Sequence, residues 1–143
     1  VSFREDLEEG KEYENYILNI VQKKYPQAKI IDGYFKEYDI IIPENNKAIE
    51  VKSDIDMWVR TGNIAIEVRN RGELSGLSVT KADYWCHVLV ECGKIKNTLV
   101  FEVKELKEIV KDFLNKKKAR MVMGGDDDLA QLVLLPLTEL REL

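Results

Sequence analysis

Histidine is nearly absent from this sequence: His87 is the only one in 143 residues. That removes zinc sites built on paired histidines and argues against a Ser-His-Asp triad. Cysteine is almost as scarce, and Cys86 and Cys92 both lie in or beside an apolar segment. Reduced core thiols are expected, since a single disulfide is out of place in a cytosolic protein. No apolar run approaches the roughly 18–20 residues that a membrane span needs. The polar, acidic stretch from Val1 to Glu9 does not have the form of a secretory signal. An intracellular location without membrane association is the expectation that follows. The chain also has no internal repeat and no linker rich in Gly, Pro or Ser, so residues 1–143 are expected to form a single domain.

An excess of positive charge is missing too. Lys and Arg number 22 against 26 for Asp and Glu, a net charge of −4. Nucleic-acid binders are usually basic, because neutralising phosphates supplies most of their affinity. The balance therefore counts against a tight, nonspecific binder. It does not exclude an enzyme that cuts phosphodiesters, because local distribution matters more than the total. Positive charge gathers at Arg69, Arg71 and the run from Lys111 to Arg120, whereas the acidic excess sits in Glu5–Glu14 and Asp126–Asp128.

What is present is a regular alternation of elements. Apolar residues make up 45% and charged residues 34%, a balance that fits a folded domain and not a disordered one. From Phe3 to Lys24 the spacing of Tyr13, Tyr16, Ile17, Ile20 and Val21 predicts an amphipathic helix, which Pro26 ends. β-Branched runs follow at Lys29–Phe35, Tyr38–Ile42, Lys47–Ser53 and Asn63–Arg69, separated by turn-like stretches. Thr80 is placed to cap a short helix. Trp85–Glu91 and Asn97–Val103 read as strands, Lys104–Lys118 as an amphipathic helix, the Gly124–Asp128 stretch as a loop, and Leu132–Leu137 as a last strand. The pattern predicts an α/β domain with a central sheet covered by helices.

The chemistry concentrates between Tyr38 and Lys52. If Pro43–Asn46 is a hairpin loop, Ile42 pairs with Lys47, Ile41 with Ala48, Ile40 with Ile49, and Asp39 stands opposite Glu50. Alternation then puts Asp39, Glu50 and Lys52 on one face and Ile40, Ile49 and Val51 on the other. Two carboxylates facing each other repel, so removing one is expected to relieve strain in the metal-free protein. A divalent cation between them reverses the sign, and Mg²⁺ is commonly held by one or two carboxylates with water and phosphate. Lys52 is placed to steer a water or to stabilise charge on a phosphate under attack. Taken alone, Glu-x-Lys on a strand is a common surface pairing. Two features set this one apart: the register that brings up Asp39, and Glu14, which falls between Val21 and Leu7 inside the apolar stripe of the first helix. A carboxylate there needs a partner.

A helix bearing Glu14, then Asp39, then Glu50-Val51-Lys52 on strands resembles the PD-(D/E)xK nuclease superfamily, over roughly Glu8 to Trp85. Tyr38 stands where the family name has proline. The segments Thr61–Glu67 and Ser75–Trp85 resemble those of small phage-type members. The resemblance implies a restriction-endonuclease-like fold, a central mixed sheet flanked by helices with an αβββαβ core. It implies Mg²⁺ or Mn²⁺ held by Asp39, Glu50 and the Val51 carbonyl, Lys52 as the catalytic lysine, and Glu14 as a helix-borne acid. It further implies DNA as partner, endonucleolytic cutting with a preference for branched or junction DNA, a homodimer, and the cytoplasm of a bacterial, archaeal or virus-infected cell. Arg69, Arg71, Ser75 and Lys81 are expected phosphate contacts, and Glu67 is a further acid of open role. Trp58 is read as packing, the Lys116–Lys118 cluster as a solvated helix end, and Asp126–Asp128 as a surface turn. The competing reading is a catalytically inactive nucleic-acid-binding or assembly module on the same fold. RNA in place of DNA also stays open.

Overall fold

The computed structural model describes residues 3–33, 37–125 and 127–143, with side chains from residue 10 onward. Helix α1 (Phe3–Gln22) forms as its periodicity predicts, and the chain then turns at Tyr25 before Pro26. Its buried stripe is rotated from the expected one. Tyr13, Glu14 and Ile17 are buried, whereas Tyr16 and Ile20 are 38% and 46% exposed. Leu18 and Val21 complete the packed side. The rotation sets Glu14 near the middle of the inward arc. Leu7, on which the expected stripe also relied, lies outside the described side chains.

Strands β1 (Lys29–Ile30), β2 (Ile40–Ile42) and β3 (Lys47–Ile55) follow. The expected first strand is cut short at Ile30, and Tyr34 and Phe35 lie outside the described residues. The β2–β3 turn is closed by Asn45, whose Oδ1 accepts the Lys47 amide at 3.0 Å, and by Asn46 with a φ of 56°. Asparagine tolerates that left-handed conformation better than most residues do. Next come α2 (Met57–Thr61), β4 (Asn63–Asn70), β5 (Glu73–Leu74), a 3₁₀ turn (Gly76–Ser78), β6 (Tyr84–Glu91), β7 (Lys94–Glu102) and α3 (Val103–Asn115). The chain closes with β8 (Arg120–Gly124), β9 (Ala130–Pro136) and α4 (Leu137–Arg141). The helix expected to start at Thr80 is absent. The Thr80 hydroxyl accepts the Ala82 amide at 3.2 Å, and the Asp83 carboxylate takes the Ala48 amide at 2.9 Å. That second bond ties the chain extended against β3 instead of coiling it.

The strands build two sheets. The first has five strands in the order β1-β2-β3-β6-β7 and is mixed: β3 and β6 run parallel, the other neighbours antiparallel. The second has four antiparallel strands in the order β5-β4-β9-β8. The protein is thus an α/β fold with a mixed sheet and several helices. Its parallel crossover from β3 to β6 runs through α2, β4 and β5, so the chain leaves the first sheet to build part of the second before it returns.

The β6 strand explains the layering. Tyr84–Glu91 is buried through nearly its whole length, the pattern of a strand covered on both faces. On one face Cys86, Val88 and Val90 join Ile40, Ile42 and Ile49 under Tyr13 and Ile17 of α1. On the other, Trp85 and Leu89 join Ile64 and Ile66 of β4, Val133 and Leu135 of β9, and Leu106, Val110 and Phe113 of α3. No helix among the described residues is long and apolar enough to cross a membrane.

Both cysteines are free, but only Cys86 is a core residue; Cys92 is exposed in the β6–β7 turn. Burial pushes the Cys86 thiol up from 9.0 to about 11, and the thiolate is the reactive form. At pH 8 a thiol reagent is therefore expected to modify Cys92 alone in the native protein, and both cysteines once denaturant is added.

Candidate active site

The β2–β3 register is the one the sequence predicts: Ile42 pairs with Lys47, Ile41 with Ala48 and Ile40 with Ile49. β2 ends there while β3 continues to Ile55. The last backbone contact between them runs from the Asp39 amide to the Ile49 carbonyl, 3.0 Å. Two residues on, the Val51 amide points to the same edge with no strand left to meet it. The Asp39 side chain takes over: its Oδ2 accepts the Val51 N–H at 2.7 Å. In an extended strand the N–H and C=O of one residue face the same side, so the Val51 carbonyl looks toward the same gap. Asp39 is only 7% exposed.

Glu50 and Lys52 stand on the other sheet face from α1, since they pair in register with Trp85 and His87 of β6. Lys52 Nζ lies 3.2 Å from Glu50 Oε1 and 5.9 Å from the centre of the Trp85 ring. The Lys52 side chain is 44% exposed and Glu50 17%, so this ion pair is worth about 0–1 kcal/mol. It orients the lysine without locking it.

Glu14 is buried at 8% exposure, as a carboxylate in the helix stripe predicts. It sits on α1, which covers the face opposite Glu50 and Lys52. Glu14, Asp39 and Glu50 each have polar contacts, so none stands free. Among the described residues, no three or more His, Cys, Asp or Glu side chains gather to hold a metal. The expected donor set is instead two carboxylates and the Val51 carbonyl. These are hard oxygen ligands of the kind Mg²⁺ and Mn²⁺ take, and the turned-in Asp39 fits that set.

The residues expected to touch phosphate are spread from β4 to the approach to β6. Arg69 is exposed and donates to the Gly72 carbonyl at 3.2 Å. Arg71 is held by Asp127 at 2.8 Å, and Lys81 is exposed. Ser75 is half-buried, and its hydroxyl has no partner among the described residues. Trp58 packs as expected, with its indole N–H on the Val90 carbonyl at 2.8 Å. The lysine cluster is a solvated helix end, with Lys116 on Asp112 and Lys118 on Glu139.

One residue of open role, Glu67, gains a place, and so does His87, to which sequence reasoning gave none. Glu67 and His87 line a pocket of about 160 Å³ together with Lys52, Trp85 and Leu132. Glu67 is seated by a register shift in β4 between Glu67 and Arg69, and by Gly76 lying against its backbone. His87 sits in an apolar run and reads in sequence as core; only the folded β3–β6 pairing puts it beside Lys52.

The chain is thus an α/β fold with two sheets, in which Asp39 caps the edge left by a short strand and Glu50 pairs with Lys52 on the neighbouring one. No protein-family model matches the chain, and no curated protein matches it.

Proposed function

We propose that the protein is a Mg²⁺- or Mn²⁺-dependent nuclease of the PD-(D/E)xK, restriction-endonuclease-like kind that hydrolyses phosphodiester bonds in DNA. The observation that carries the reading is the end of β2. There the Asp39 carboxylate is bonded to the Val51 amide, between Glu50 and Lys52 in the chain. Asp39, Glu50 and the Val51 carbonyl would hold the cation, with Glu14 the further acid behind them. Bound there, the ion would polarise the scissile phosphate and lower the pKa of water.

The chain's own groups do the rest. Asp39 is held in one orientation by the Val51 amide. Glu50 and Lys52 share a sheet face, so a phosphate reaching the carboxylates also meets the ammonium. Lys52 then stabilises the negative charge that grows on the phosphate oxygens as water attacks phosphorus. The opposite P–O bond breaks, and the leaving oxygen takes up a proton. A preference for branched DNA, endonucleolytic cutting and a homodimer rest on the resemblance of size and motif.

The deciding assay incubates the protein with Mg²⁺ and a panel of duplex, single-stranded, flap and four-way DNA. Cleavage of one or more is expected, and no cleavage of any would overturn the reading. Asp39→Asn supplies the control for the site. It keeps an acceptor for the Val51 amide but drops the charge. Calorimetry is expected to show Mn²⁺ binding weakened at least about tenfold, with cleavage falling alongside and the melting temperature close to the parent's. An inactive module keeping only the fold would bind no Mn²⁺ in either form.

A further inference from the structure

We propose that the pocket between the two sheets holds an ordered water shared by His87, Glu67 and Lys52, which makes His87 and Glu67 positioning residues for the lysine. The inference rests on the nuclease reading for its catalytic consequence, though not for the water itself.

The case begins with a proton. The Trp85 indole N–H lies 3.2 Å from His87 Nδ1. An indole nitrogen can only donate, so Nδ1 is the acceptor and the neutral ring carries its hydrogen on Nε2. That Nε2–H is buried in a side chain 3% exposed and has no hydrogen-bond partner among the described residues. Asp54 Oδ2 stands 3.9 Å away, beyond hydrogen-bond reach, while Asp54 Oδ1 accepts the Trp58 amide at 3.2 Å. A buried donor with no acceptor is costly, and His87 lines the pocket of about 160 Å³.

The same proton decides against a metal. A metal-bound imidazole uses one nitrogen as ligand and donates its other N–H to an acceptor. Here Nδ1 receives a hydrogen bond, and Nε2 bears the hydrogen. The site calls for an acceptor. Phosphate fits poorly, because Glu67 lines the same pocket. Water fits: each occupies about 30 Å³ in the liquid, and a buried one typically makes about three hydrogen bonds. His87 and Lys52 donate to it and Glu67 accepts from it.

The arrangement gives Lys52 a second anchor. Its present partner, Glu50, is also a proposed cation ligand and cannot serve both roles at full strength. A water fixed by His87 and Glu67 keeps the ammonium on the reacting face when Glu50 turns to the cation.

The test combines a high-resolution crystal structure of the parent with His87→Leu and His87→Gln variants. Density is expected in the pocket within hydrogen-bond distance of His87 Nε2, Lys52 Nζ and a Glu67 carboxylate oxygen. His87→Leu should lower the single-turnover rate about 10–100-fold, with KM for DNA and Mn²⁺ affinity unchanged. His87→Gln, which restores an N–H donor, should recover most of that rate. An empty pocket, a parental rate in His87→Leu, or equal losses in both variants would overturn the inference. If the parent cuts no DNA at all, the nuclease reading fails instead, and the pocket density alone decides whether the water is there.

Discussion

Lys52→Ala is expected to leave a folded protein that binds Mn²⁺ and does not cut DNA. The side chain is 44% exposed, and its partner Glu50 sits 3.2 Å away near the surface. Losing such a pair costs about 0–1 kcal/mol, within the range of ordinary surface substitutions. An ammonium is not a metal ligand, so affinity for the cation should hold. On the proposed reading, what is lost is a positive charge aimed at the phosphate, and removing one such preorganised group costs about 100–1,000-fold in rate. The loss should therefore appear in single-turnover cleavage, with Mn²⁺ affinity and melting temperature near the parent's. If Lys52→Ala cuts at the parental rate, the mechanism is wrong even where the fold is right.

Gly76→Ala is expected to be the most damaging single methyl group in the described chain. Gly76 has a φ of +53°, and a Cβ there would overlap the Glu67 carbonyl oxygen and come within 2.9 Å of its carbon. Both neighbours are backbone atoms, which cannot swing aside as a side-chain tip can. The left-handed conformation alone costs about 1–2 kcal/mol for a residue with a Cβ, and the overlap adds to it. A destabilisation of about 2–4 kcal/mol follows, or a fall in melting temperature of roughly 5–15 °C for a domain of this size. Because the displaced backbone carries Glu67, the surviving folded protein should also cleave more slowly. A melting temperature within about 1 °C of the parent's would refute the close approach.

The β2–β3 register was legible because it is local. A hairpin with a short loop fixes its own pairing, so Ile42 against Lys47, Ile41 against Ala48 and Ile40 against Ile49 follow from counting along Tyr38–Lys52. Helix α3 was legible because Leu106, Ile109, Val110, Phe113 and Leu114 repeat on one stripe. What was hidden depends on partners far along the chain. β8 has no alternation to betray it, and its Met121 and Met123 are 46% and 55% exposed on an edge strand. The second sheet exists because β4 meets β9, with Asn63 against Pro136, a pairing no local window contains. Thr80 offers a cap, but Asp83 spends its carboxylate on β3. The expected stability gain on removing a carboxylate also changes sign. Asp39→Ala would orphan the Val51 amide, a cost of about 1–3 kcal/mol that outweighs the relieved repulsion, itself worth roughly 0.2–1 kcal/mol.

The route of the chain from β3 to β6 has a consequence for what counts as the working unit. Every motif residue lies before Ser53, yet the pocket behind Lys52 is closed by Leu132, and β4, which bears Glu67, is held in the sheet by β9. A fragment bounded by the motif would keep the letters of the site and lose one of its walls. The smallest piece able to seat Lys52 between both sheets therefore reaches from α1 to β9. Insertions have room at the exposed hairpin tips, such as Cys92-Gly93, but not within β4, where the chain is building the far side of the pocket.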